Sequence, residues 1–241
     1  MLPEGLKQAF QKHAQSDDDL CKIGEIYDEL ASRTEPSRRT PPGDYGQPER
    51  IKANVLIYRQ VLLHRAISLF EGALNAAVDE NLYSVVLNMR GHFETTASLG
   101  YLYRRLQSLK KGVISAERID RDLCAQLLGT RREGLRGAPA PINILTAFEE
   151  ADKALNIAIL QGTTHQYEIL KNSYEYLCEF CHPNLSSNSI ALDLDKSVPE
   201  FRFRHGQDMR DHEFNLIVYI VISANVFLSL YDQILDLLPS E

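Results

Sequence analysis

An all-α helical bundle is the fold class this sequence predicts, and three observations carry that prediction. Apolar residues recur at helical spacing over most of the 241 residues, and only 13 glycines and 10 prolines interrupt them. The hydrophobic share of 44% and charged share of 24% exclude disordered, collagen-like and disulfide-scaffold chains. Alternating, strand-like patterning is confined to one stretch, near 189–204.

Residues 1–33 read as an N-terminal helical preface of two helices, LPEGLKQAFQKHA and DDDLCKIGEIYDELAS. In the second, Leu20, Ile23, Ile26, Tyr27 and Leu30 fall on one face behind an acidic start that suits the helix dipole. Residues 34–49, TEPSRRTPPGDYGQPE, hold four prolines and two glycines and form a linker or long loop. The main helical domain, 50–241, opens with a long helical hairpin. Its first helix runs through IKANVLIYRQVLLHRAISLFEGALNAAV and breaks at Asp79–Asn81; the second carries Leu82, Val86, Met89, Phe93, Ala97 and Gly100 as one apolar stripe.

Further helices follow at SAERIDRDLCAQLLG with Ser115 as N-cap, NILTAFEEADKALNIAIL with Asn143, and THQYEILKNSYEYLCEFC with Thr163 or Thr164; Pro183 stops the last, and RREGLRGAPAP is a loop. Ile190, Leu192, Leu194, Phe201 and Phe203 alternate with polar residues and predict one short β-hairpin. The closing helix holds 17 nearly all apolar residues, Phe214–Leu230. A membrane span needs about 20, and Asn215, Ser223, Asn225 and Ser229 interrupt this run, so a buried helix at the centre of the bundle is expected, with no membrane partner. The N-terminus has no basic start followed by an apolar run, so a cytoplasmic location is expected, and with it reduced thiols at all four cysteines.

The net charge of −7 argues against a surface that binds nucleic acid throughout. It conceals a segment, Arg104 to Arg136, with nine basic residues against four acidic ones. Arg104, Arg105, Lys110, Lys111, Arg131 and Arg132 are therefore nucleic-acid-binding candidates, the alternative being a solvated helix face.

Three constellations could carry chemistry. Cys178–Glu179–Phe180–Cys181–His182 spells the C-x-x-C-H of haem attachment, but without an export signal or a clear distal methionine no haem is expected. Only Cys21 and Cys124 remain as distant partners, so no metal or other cofactor is expected either; thiols packed in the core are the plainer reading. Arg59 and His64 match R-x4-H, a spacing that chance supplies about 1.5 times in a chain of this composition. Finally, Arg90 and Glu94 stand one turn apart on one helix, and Tyr174 and His182 two turns apart on another. All four lie on or beside apolar stripes, where charge is costly unless paired, so they are expected to face one another as a catalytic group or as a structural network.

The string YEYLCEFCHPN, about 80 residues after LNMRGHFETTASLGYLY, resembles a pattern in bacterial helical proteins. In these an Arg followed four residues later by Glu precedes a helix ending in L-S-E-x-x-H-P-N, and they are distantly similar to the HEPN superfamily of RNA-cleaving toxins and abortive-infection proteins. The resemblance spans roughly residues 50–235. It implies a helical bundle and points to Arg90, Glu94 and His182, with Asn184 adjoining. The HEPN nuclease signature requires an Arg four to six residues before the His, whereas positions 176–178 are Tyr, Leu and Cys.

The leading expectation is a HEPN-like binding or regulatory module, RNA-directed and defence-related, working as a homodimer. Metal-independent endoribonuclease activity using His182 with Arg90, supported by Glu94 and Tyr174, is one alternative; a protein-interaction module without catalysis is the other.

Overall fold

The computed structural model describes residues 2–39, 44–132, 137–160, 167–195, 200–204 and 208–239. It is an all-α bundle with one small β-hairpin. In chain order run α1 (Leu6–Lys12), α2 (Asp17–Ser32), α3 (Pro48–Val78), α4 (Leu82–Lys110), α5 (Ala116–Leu128), α6 (Ile144–Ala158), α7 (Ile169–Cys181), α8 (Leu185–Ile190), β1 (Leu192–Asp195), β2 (Glu200–Phe203), α9 (Asp211–Phe214) and α10 (Val218–Gln233), with short 3-10 turns on either side of α10.

Local chemistry sets most of these boundaries. Ser16, Asn81, Ser115 and Asn143 each accept a backbone N–H at the start of α2, α4, α5 and α6. Pro48 occupies the first turn of α3, where a missing N–H costs nothing. The end of the proline-rich segment is tied to α5: buried Asp120 accepts the Gly46 N–H at 2.9 Å and pairs with Arg50 at 3.1 Å. Helix α7 begins at Ile169, and the expected caps Thr163 and Thr164 lie outside the described residues. Its first turn is capped from another helix. Asp152 of α6, 4% exposed, accepts the N–H groups of Leu170 at 2.9 Å and Lys171 at 3.1 Å.

The antiparallel hairpin pairs Leu192 with Phe203 and Leu194 with Phe201; Ile190, expected in its first strand, closes α8 instead. The helices α1 and α2 do not stand apart from the body. Leu6, Phe10, Ile23 and Leu30 are buried in the same apolar core as α3, α4 and α10.

At the centre lies α4, which packs against α3, α5, α6, α7 and α10. Gly100 lets it approach α6 so closely that a Cβ there would meet the Ala151 Cβ at 2.5 Å. The C-terminal helix is buried as expected through Ile220, Ala224, Phe227, Leu230 and Tyr231, but its outer side exposes Val218 and Asn225. The central place therefore belongs to α4, whose small residues admit neighbours on more sides. A polar seam joins the two helices: His92 Nδ1 lies 2.8 Å from Ser223 Oγ, which also meets Thr96 Oγ1 at 2.9 Å. By length and composition alone, Pro48–Val78 and Asp211–Leu237 could each cross a membrane; in the second, 61% of the most apolar window is buried within the protein.

Candidate functional site

Three of the four residues expected to converge do so. Arg90 donates to the Tyr174 hydroxyl at 3.1 Å, its guanidinium lies 5.4 Å from that ring's centroid, and its Nε pairs with Glu94 at 3.3 Å. This contact joins α4 to α7. Burial opposes the Arg90 charge, yet Tyr174, Cys178 and Glu94 together hold its proton more firmly than that of an ordinary arginine. Burial likewise pushes the Tyr174 phenol up, with Arg90 pulling the other way. The Arg90 and Glu94 side chains are each 28% exposed, so their pair contributes about 0.5 kcal/mol, less than a buried network would.

His182 is not part of this cluster. It follows the last residue of α7 with extended backbone angles, φ −104° and ψ 148°, which carry its exposed ring off the helical face that a continued helix would give it. Pro183 imposes this, because the residue before a proline is driven out of the helical region. Among the described residues the His182 ring has no hydrogen-bonding or ionic partner. Asn184 is structural: it caps α8 by accepting the Ser187 N–H at 3.2 Å and donates to Glu179 at 2.9 Å. The place expected of His182 is taken by two thiols. Cys181 interacts with Arg90, and Cys178 with the Tyr174 hydroxyl one turn earlier. The C-x-x-C spacing on the Tyr174 face was the sequence signal for this, though it reads equally as core packing.

The basic candidates divide. Arg104 pairs with Glu150 at 3.4 Å and donates to Gln107 at 2.7 Å. Arg105 pairs with Asp122 at 3.4 Å and lies 4.6 Å from the Tyr101 ring centroid. Both are spent within the fold. Lys110, Lys111, Arg131 and Arg132 are exposed, as are Arg118 and Arg121 on α5 between them, although Arg118 also pairs with Asp122 at 3.3 Å and Lys110 donates to the Asp236 carbonyl at 2.9 Å. The Arg59–His64 pair dissolves: Arg59 is buried, donating to the Tyr231 carbonyl at 2.7 Å with its guanidinium 3.5 Å from that ring's centroid, whereas His64 is exposed.

A second polar cluster had no sequence motif behind it. Glu80, in the turn between α3 and α4, accepts from Lys12 at 2.6 Å and from the Met209 N–H at 2.7 Å, and lies 3.4 Å from His13 Nε2. His13 Nδ1 is 2.9 Å from Asp211, and its ring stacks on Phe214 at 4.3 Å between centroids. Beside this hub a cavity of about 370 Å³ is lined by Glu80, Tyr83, Ile190, Arg204, Met209 and Glu213, among others. Arg204 and Glu213 close one wall as an almost fully buried ion pair at 3.2 Å. Glu80 has φ 55°, a helix-terminating conformation that glycine prefers, and with glutamate in that place the sequence carried no signal for it.

Among the described residues no group of three His, Cys, Asp or Glu side chains is placed to hold a metal ion. No family model, curated protein or solved structure matches the chain, so the reading of the site rests on its geometry and chemistry.

Proposed function

We propose that the chain is a helical, HEPN-like RNA-binding module that does not cleave its ligand. The observation that carries this reading is the run of exposed cations Lys110, Lys111, Arg118, Arg121, Arg131 and Arg132, spread in sequence from the end of α4 through α5 into the loop beyond. Helix α5, which carries two of them, is about 20 Å long, a length that spans several phosphates of a single strand. Cleavage is set aside because a ribonucleolytic pair needs an imidazole and a guanidinium on one phosphate. Arg90 is turned toward Tyr174 and Glu94, and His182 stands outside the cluster.

The test is fluorescence anisotropy of a labelled single-stranded RNA, titrated with protein at several salt concentrations. Affinity should fall steeply with salt, and reversing Arg131 and Arg132 to Glu should weaken binding about tenfold or more, since phosphate contacts dominate such affinity. The RNA should stay intact with the wild type and with His182→Ala alike. Absence of binding at low salt, or indifference to the reversals, refutes the reading; metal-independent cleavage that His182→Ala abolishes establishes the nuclease alternative.

One observation favours a protein-interaction module instead. Leu185 on α8 and Phe203 on β2 are 85% and 79% exposed, more than any other large apolar side chain among the described residues.

A further inference from the structure

We propose that Cys178 and Cys181 are an oxidation site, a dithiol that a hydroperoxide converts to a disulfide within the last turn of α7. The two residues are three apart on a helix, so their Cα atoms stand about 5 Å from each other, inside the range a disulfide spans. Both are half-buried, so each keeps some contact with solvent. The helix ends at Cys181 and His182 is already extended, so little regular structure has to yield when the sulfurs approach. The remaining thiols, Cys21 and Cys124, sit singly on α2 and α5 and serve as internal controls.

The surroundings assign the roles. Arg90 acts on Cys181 as its main cationic neighbour, and Glu94 of α4 and Cys178 of α7 also act on it. A helix C-terminus disfavours a thiolate, and the guanidinium offsets this. The Cys181 thiolate attacks the peroxide O–O bond, giving a sulfenic acid and releasing the other oxygen as an alcohol or water after protonation. The Cys178 thiolate then attacks that sulfur, the S–S bond forms, and hydroxide leaves as water. Two thiols lose two electrons and two protons, and the hydroperoxide accepts both. Burial pushes the Cys181 thiol up, so the first step is slow at neutral pH and accelerates as pH rises.

The structural consequence falls on the contact between α4 and α7. Oxidation removes both thiol hydrogens and draws the sulfurs together, which changes the interactions of Cys178 with Tyr174 and of Cys181 with Arg90, so the redox state of the pair sets the packing around Arg90.

The experiment treats the full chain with hydrogen peroxide, quenches with an alkylating reagent in denaturant, and maps the cysteines by mass spectrometry. The expected result is a Cys178–Cys181 linkage within one chain, reversed by dithiothreitol, with Cys21 and Cys124 still alkylated. Oxidation should be several-fold faster at pH 8.5 than at pH 7, and several-fold slower in Arg90→Gln. Four alkylated cysteines after treatment, random oxidation that includes Cys21 and Cys124, or linkage only between chains would each overturn the proposal. Because the mapping is done on the wild type, a poorly folding variant leaves it decisive.

Discussion

Glu80 accepts the backbone N–H of Met209 at 2.7 Å, and it does so from a left-handed backbone conformation, φ 55°. The residue ends α3: its own N–H returns to the Ala77 carbonyl and that of Asn81 to Ala76, an arrangement in which glycine is the unstrained choice. A glutamate here trades backbone strain for a carboxylate that joins α1, the α3–α4 turn and the segment before α9. Glu80→Ala should lose about 1–3 kcal/mol by leaving Met209 and His13 without this acceptor. Glu80→Gly should recover roughly 1 kcal/mol of that loss, because only the strain is relieved. Urea unfolding of the three proteins measures the order; equal stability of the two variants would show that the φ angle costs nothing.

Gly100→Ala tests the closest approach in the bundle. The added Cβ would meet Ala151 at its Cβ and at its backbone, 2.5 and 2.7 Å away, and neither is a flexible side-chain end. Helices α4 and α6 must separate, at a cost of about 1–3 kcal/mol. A melting temperature within a degree of the wild type would contradict this packing.

Stability should fall on mild acidification because of His92. Burial lowers this imidazole to about 3, so the folded protein keeps it neutral while the unfolded chain binds a proton near pH 6.5. Its contribution is complete above pH 6.5 and is lost as pH falls toward 3, amounting to about 2 kcal/mol between pH 7 and pH 5. His92→Gln, whatever its overall stability, should show a flatter profile over that interval. An unchanged slope would place the acid sensitivity elsewhere.

Asp152 works in the opposite sense. Burial raises its carboxyl to about 6, although the Leu170 and Lys171 N–H groups favour the charged form. The stability this proton supplies is full below the unfolded value near 4 and disappears as pH rises through 6. Asp152→Asn, which keeps one cap acceptor but carries no charge, should therefore be less destabilising at pH 8 than at pH 5, by about 1 kcal/mol. Asp152→Ala should show the same pH trend, still cost about 1–2 kcal/mol at pH 8 through the lost cap, and loosen α7 first, visible as faster amide exchange at Leu170 and Lys171. The same cost for Asn at both pH values would mean that the carboxyl titrates normally.

The sequence by itself determined the all-α class, the break at Asp79–Asn81, the caps at Ser115 and Asn143, the stop before Pro183 and the single hairpin. Each is settled within a few residues by backbone chemistry, which composition and spacing report directly. Tertiary structure alone decided that α4, not the more apolar α10, holds the centre, since periodicity shows that a helix has an apolar face but not how many neighbours it will meet. It also decided which charges are spent. Arg104 finds Glu150, Arg105 finds Asp122, and Asp152 of α6 caps α7, pairings that only the fold brings within reach. The candidate site was legible in part for the same reason. Arg90, Glu94 and Tyr174 lie inside regular helices, where phase predicts direction, whereas His182 lies one residue past a helix end, where the following proline turns the chain away and Cys178 and Cys181 are left facing Arg90.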